Sequence, residues 1–499
     1  MNPRRHLCAI ALAVFAVSGF VLHDPSQLRI SVAEPPIEAV AMPSSDVVSA
    51  TWFCAGGVPA DSTAITGTPD DDAESGAVED KVFIANVAAT TAVVRVNALS
   101  RGTAPRSKDY TVAAYATIGV AVSDVSNAPD AALIVEAFSS GVVVEQLVKV
   151  PGIDDAALAP CATSTSSSWY FAAGSTSRGS SQWLSLLNPY SDDAVVDITV
   201  VLEGEVRKPS DLQSLVVGAR SRRSLFINDA ADRQGAVALI INVAGGSGVV
   251  AQQTIVHPRR SERRGVSSSL GAIAPSTRFT FAGGSRSKAK NRVIYVLNPG
   301  PVATDVDIQV IGEGATPLTI TVEAQSVEKL NVARLVPPGT QYSLVVQAAA
   351  DLGAATGRRS ERGIVVEDIE RFDGFRNADE SETTYGVASN VGGVSPSVQW
   401  AFGPSLAPAM TATEMYFYNP NEKAALIDVS FFVGGKHVRP ESLQGVTIDG
   451  ASRLIVSTTG FSETSGAMIV KSTSPIYAER LLLGTNLVTR VAGIPLRNS

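Results

Sequence analysis

The sequence predicts an all-β protein: about four tandem immunoglobulin-like β-sandwiches behind an N-terminal signal or anchor helix. Three observations lead there. One set of landmarks recurs four times at domain-sized spacing. The segments between landmarks alternate apolar and polar residues with period two, the mark of half-buried strands. No helical periodicity of useful length interrupts them.

The first element sets the expected compartment. Arg4 and Arg5 precede an apolar run over residues 7–22. Such a positive start followed by an apolar stretch reads as a signal peptide. As a helix the run reaches about 24 Å, short of the ~30 Å hydrocarbon core. Ser31-Val32-Ala33 offers a small-residue cleavage site before Glu34. A cleaved signal and an uncleaved anchor, over residues 1–33, both place the rest outside the cytoplasm. The protein is then secreted or membrane-anchored, and touches membrane only through this segment.

Four repeats follow a linker at 34–51. Trp52-Phe53-Cys54-Ala55-Gly56-Gly57 returns as Trp169-Tyr170-Phe171-Ala172-Ala173-Gly174, as Phe279-Thr280-Phe281-Ala282-Gly283-Gly284, and more loosely as Trp400-Ala401-Phe402-Gly403. The spacings are 117, 110 and 121 residues, which suit whole domains. Next come Asn188-Pro189, Asn298-Pro299 and Asn419-Pro420, with Asn86-Val87 as a worn copy. Each leads into an alternating strand such as Val195-Val196-Asp197-Ile198-Thr199-Val200. A closing hairpin carries Glu145, Gln252, Glu367 and Glu479 at one position. The expected domains are 52–160, 161–275, 276–396 with an insertion at 371–396, and 397–499. About six or seven strands in ~110 residues is the size of an immunoglobulin-like sandwich. A β-propeller is the alternative, but its self-similarity should fall at about 40–50 residues.

These landmarks resemble an uncharacterised exported actinobacterial β-repeat family, the domain of unknown function 5719. The aromatic opening, the Asn-Pro turn, Ala219-Arg220-Ser221-Arg222 and Ala478-Glu479-Arg480 carry the likeness, which spans the chain after about residue 40. It implies extracytoplasmic placement and β-architecture, and carries over no catalytic residue. The opening Glu common in that pattern is missing from all four repeats.

Composition removes several functions. The 499 residues hold 40 basic and 48 acidic side chains, a net charge of −8, which speaks against a general nucleic-acid binder. Four His and three Cys leave little for zinc, haem or other His-based metal chemistry, so no metal and no cofactor is expected. Cys8 lies in the apolar run. Cys54 and Cys161 remain, an even pair in an exported chain that reads as one disulfide, with two buried free thiols as the alternative.

The catalytic constellations are sparse. No Gly-x-Ser-x-Gly elbow occurs, and only His257 and His437 could serve as a base beyond residue 23. Ser285/Lys288 and Ser326/Lys329 match Ser-x-x-Lys without the companion elements of penicillin-recognising enzymes. The closing carboxylates belong to different domains, so the bland reading is a polar residue that ends a hairpin or bridges neighbours. A hydrolase would need two of them in one cleft. Asp70-Asp71-Asp72 lacks the spacing of a calcium loop. Trp52, Trp169, Phe279 and Trp400 could stack on sugars, but read better as core anchors.

Arginine is the more suggestive signal. Arg220, Arg222, Arg223, Arg259, Arg260, Arg263 and Arg264 cluster in the second repeat, and guanidinium forks suit phosphate or carboxylate. Solubilising loops or interdomain ion pairs are the alternative. The expectation is a non-catalytic exported cell-envelope protein, a surface scaffold or interaction module in an extended array. The alternative is a module that binds cell-wall glycan or anionic polymer, with a cell-wall polymer or an envelope protein as partner.

Overall fold

A computed structural model describes residues 38–41, 49–59, 79–128, 130–150, 153, 155–257, 264–349, 363–376, 383–404, 412–459, 461, 466–484 and 487–496. The signal or anchor segment, the Asp70–Asp72 loop, and Arg259, Arg260 and Arg263 lie outside these residues. The described residues form antiparallel strands and three-residue 3-10 turns, with no α-helix. No helix among them is long and apolar enough to cross a membrane.

The first repeat supplies β1 (Ala50–Cys54), β2 (Glu79–Asn86), β3 (Ala92–Leu99), β4 (Arg106–Val112), β5 (Thr117–Ala121), β6 (Ala132–Ala137), β7 (Val142–Lys149) and β8 (Ala156–Pro160). One sheet runs β1-β6-β3-β4 and the other β5-β2-β7-β8. In β3 the period-two pattern is literal: Ala92, Val94, Val96 and Ala98 are buried, while Val93 and Arg95 face out. Trp52, Ile84, Val94 and Val144 join the two sheets through one core. The same two-sheet order returns at 168–270 and 278–391. At 397–495 the sixth and seventh strands fuse into Ala467–Gly484, which passes from one sheet into the other. Each repeat therefore has at least eight strand positions, where the sequence suggested six or seven. The order also differs from the ABED/CFG arrangement of an immunoglobulin constant domain, since the first strand pairs with the sixth. Nor are the sheets propeller blades, because each draws on strands far apart in sequence.

The Asn landmark is a turn clamp. Asn86 Nδ2 donates to the carbonyls of Thr90, Val112 and Ala113 at 2.7–3.1 Å, and its Oδ1 accepts from Ala88 N at 2.9 Å. Asn188, Asn298 and Asn419 repeat this pattern on their own loops. All four are buried, so each amide satisfies carbonyls that would otherwise be orphaned at a sheet corner. The copy without proline keeps the whole network, so the amide and not the proline makes the clamp.

The disulfide Cys54–Cys161 ties the end of β1 to the residue after β8, with Cα atoms 4.7 Å apart. Flanking it, Phe53 and Ala162 exchange backbone hydrogen bonds of 2.7 and 3.0 Å. The expected insertion at 371–396 is corrected: Val365–Arg376 and Thr383–Val391 pair as the closing hairpin that every repeat carries.

Candidate functional site on the ring axis

The eighth strands decide how the repeats assemble. Ala156–Pro160, Gly265–Leu270, Thr383–Val391 and Leu487–Ala492 pack in a closed cycle, the last on the first. The expected extended array is thus a ring. Pairing with the preceding strand aligns Pro160, Leu270, Val391 and Ala492, and hence Asp155, Gly265, Gly386 and Leu487 five residues earlier.

Asp155 occupies one end of the axis. Its Oδ1 accepts from the amides of Ala156 and Val488, both at 2.9 Å, and Oδ2 from Val266 at 3.0 Å and Val387 at 3.1 Å. One side chain therefore satisfies an equivalent amide in every repeat. A Cβ on Gly265 would stand 2.5 Å from Oδ2, and one on Gly386 2.9 Å, so glycine makes room for the carboxylate. Burial pushes Asp155 up to about 8, against the four N–H groups that favour its charged form.

The closing carboxylates bridge neighbours, as the bland reading held. Glu145 accepts from Gly403 N at 2.7 Å, Glu479 from Ala282 N at 2.8 Å, and Glu367 from Ala173 N at 2.8 Å. Each caps the opening strand of the preceding repeat, and Glu145 closes the circle onto the fourth. They lie at separate junctions and do not converge. Gln252 instead donates to Ser268 Oγ at 2.9 Å. At that junction Arg222 bonds Asp80 at 3.5 Å, Ser185 Oγ and Asp130 O at 3.1 Å, and Gly57 O.

This corrects the anion-site reading of Arg222, which is 3 % exposed and already paired across two repeats. Arg223 donates to Val216 O at 2.8 Å, and the Arg264 guanidinium lies 3.6 Å from the centre of the Tyr385 ring. Arg220 stays exposed. The aromatic openings Trp52, Trp169, Phe279 and Trp400 are buried core anchors.

Two further junctions carry buried charge that sequence reading missed. Arg480 meets Glu145 at 2.9 Å and Gly403 O at 2.6 Å. Arg490 meets Glu370 at 2.5 Å, Glu479 at 3.1 Å and Gly283 O at 2.9 Å. Beside them Arg292 meets Asp368 at 2.5 Å. Burial alone would raise Glu370, but Arg490, Lys290 and Arg292 together hold it below the usual carboxylate range. Glu367 has no cation beside it among the described residues, and burial pushes it up to about 8.

That shift has a measurable sign. Between its ordinary value near 4.5 and about 8, the folded chain holds a proton on Glu367 that the unfolded chain has released, so stability falls as pH rises through this window. Glu367→Gln, which copies the native Gln252, is expected to flatten that slope. It should also exceed the parent at pH 8 by on the order of 2 kcal/mol. Urea midpoints at pH 5, 6.5 and 8 check this; parallel slopes for both proteins would refute it.

Hydroxyl–base pairs also occur among the described residues. Ser180 Oγ lies 2.7 Å from His257 Nδ1, but both residues are under 5 % exposed. Lys290 Nζ donates to Ser285 Oγ at 2.8 Å, and burial lowers the lysine pKa. The cavity beside this pair measures only about 10 Å³, room for one water and no acyl substrate. Lys329 pairs with Glu203 at 2.6 Å. His437 stacks on Phe432. No group of three metal-ligating side chains occurs among the described residues.

At the other end of the axis lies a cavity of about 130 Å³. It is lined by the ends of all four eighth strands, and 38–40 also border it. Ala41 N donates to Thr163 Oγ1 at 3.0 Å, and Glu38 accepts from Ser395 N at 3.2 Å, so this short strap is held by two interrepeat joins.

Comparison with known proteins fits the repeat pattern. A family model, "Family of unknown function (DUF5719)", matches residues 124–255 and 247–479, well over half the chain. The chain belongs to the DUF5719 family. No curated protein matches this DUF5719 member. Among solved structures, the Anabaena sensory rhodopsin transducer is 18 % identical, covering 19 % of this chain and 96 % of that one, with a TM-score of 0.16. Thermotoga maritima 1070 is 15 % identical, covering 24 % and 96 %, at 0.18. A tetra-tandem repeat from the extending region of a large adhesion protein is 9 % identical, covering 82 % and 93 %, at 0.08. Likenesses this slight carry no argument about the DUF5719 ring.

Proposed function

We propose that the protein is a non-catalytic, exported cell-envelope component, four immunoglobulin-like sandwich variants joined into one rigid interaction platform. The observation that supports this most is where the charged side chains go. Arg222, Arg480 and Arg490, with Asp80, Glu145, Glu370 and Glu479, are buried in junctions between repeats. Groups that could have served acid–base chemistry instead hold domains together, and the loops at the rim are left as contact surface. The apolar run at 7–22 and the single disulfide support export.

Binding of an anionic wall polymer is the second reading, favoured by exposed Arg220. The test is incubation of the purified protein with isolated cell-wall material across a salt series. Saturable co-sedimentation without release of soluble fragments is expected. Fragment release abolished by one substitution would overturn the non-catalytic reading, and binding that fades steeply with salt would favour the polymer reading.

A further inference from the structure

We propose that the axial cavity is a binding site for a small neutral molecule: one apolar ring carrying one hydrogen-bond acceptor, of the kind an aryl ketone represents. Three observations converge on that class. The volume of about 130 Å³ approaches the ~150 Å³ of an engineered apolar cavity that takes up benzene. Much of the wall is apolar, with Leu158, Leu270, Phe279, Trp400 and Val491 among its residues. Asn390, 7 % exposed and also in the wall, has a buried Nδ2 with no hydrogen-bond partner among the described residues.

A buried amide without a partner costs free energy that an acceptor on a ligand restores. Arg490, the one cation among the described wall residues, already meets Glu479 and Glu370, and Glu38 accepts from Ser395 N, so nothing there calls for an anionic ligand. The cavity takes wall from every repeat, so it exists only when the ring is closed. Recognition here is also independent of where in the cell the protein resides.

The test titrates the whole protein with acetophenone and with toluene, read by ligand-detected NMR. Both should bind saturably, with acetophenone the tighter. Asn390→Leu should weaken acetophenone about tenfold and leave toluene unchanged or tighter. Ala492→Phe, which fills the cavity from its rim, should remove both while near-UV circular dichroism stays that of the parent. Because either variant could fail to fold, nuclear Overhauser contacts from toluene to Trp400 and Val491 in the parent report occupancy without substitution. The site is overturned if neither probe saturates, if those contacts are absent, or if a folded Ala492→Phe binds as the parent does. Equal acetophenone affinity in Asn390→Leu would overturn the acceptor assignment.

Discussion

Asp155→Ala is expected to cost about 4 kcal/mol or more, enough to threaten the ring as a whole. The substitution leaves four backbone amides in four repeats without an acceptor. Each buried orphan costs about 1–3 kcal/mol, and water cannot reach a site this enclosed without loosening all four strands. Asp155→Asn keeps the shape but sets an NH2 group against two N–H donors, so it should fall between parent and Ala. Gly265→Ala attacks the same point from the facing strand, because its Cβ would meet both Asp155 Oδ2 at 2.5 Å and Val387 N at 2.7 Å. Urea denaturation of the four proteins at one pH is the measurement. A loss under 1 kcal/mol for Asp155→Ala would show that the axis contributes little.

The second large effect is expected where the ring closes without a covalent link. Arg480→Met leaves Glu145 buried with a backbone amide but no cation, and breaking a buried pair this way costs about 3–5 kcal/mol. Glu145→Gln in the same protein removes the stranded charge while keeping an acceptor for Gly403 N. The double variant should therefore recover most of the loss, giving a coupling of about 2 kcal/mol or more. Purely additive single effects would mean that the pair does not hold the first repeat to the fourth.

Much of this was legible in the sequence, for a physical reason. The aromatic openings, the Asn turns and the alternating strands such as β3 arise from local constraints, core burial on one face and a clamp within one loop. Those constraints recur with each copy, so repetition exposes them. The bridging role of Glu145, Glu367 and Glu479 was also visible as a repeated position, though not which neighbour each would meet.

The ring was not legible, because its contacts obey no local pattern. β7 is buried on nearly every residue, Glu145 and Gln146 included, because one face meets its own core and the other a neighbouring repeat. Alternation disappears there. Arg480 finds Glu145 across 335 positions of chain, and Arg222 finds Asp80 across 142. A guanidinium looks the same in sequence whether it waits for a polymer or already holds a carboxylate, which is how Arg222 came to resemble an anion site. Asp155 left a fainter trace: an aspartate aligned with Gly265 and Gly386, a size mismatch that means little until the four positions are known to meet.

That mismatch says something about why the four copies share one chain. Four identical subunits around a true fourfold axis must all place the same residue on it. Four aspartates there would crowd four carboxyl groups into one dry spot, and four glycines would leave four amides unanswered. Neither choice gives one acceptor for four donors. Covalent linkage removes the obligation of sameness: one copy can supply the keystone while two of the others shrink around it. The copies have thereby become non-interchangeable, and a chain rebuilt from four second repeats, however well each folded alone, should not close.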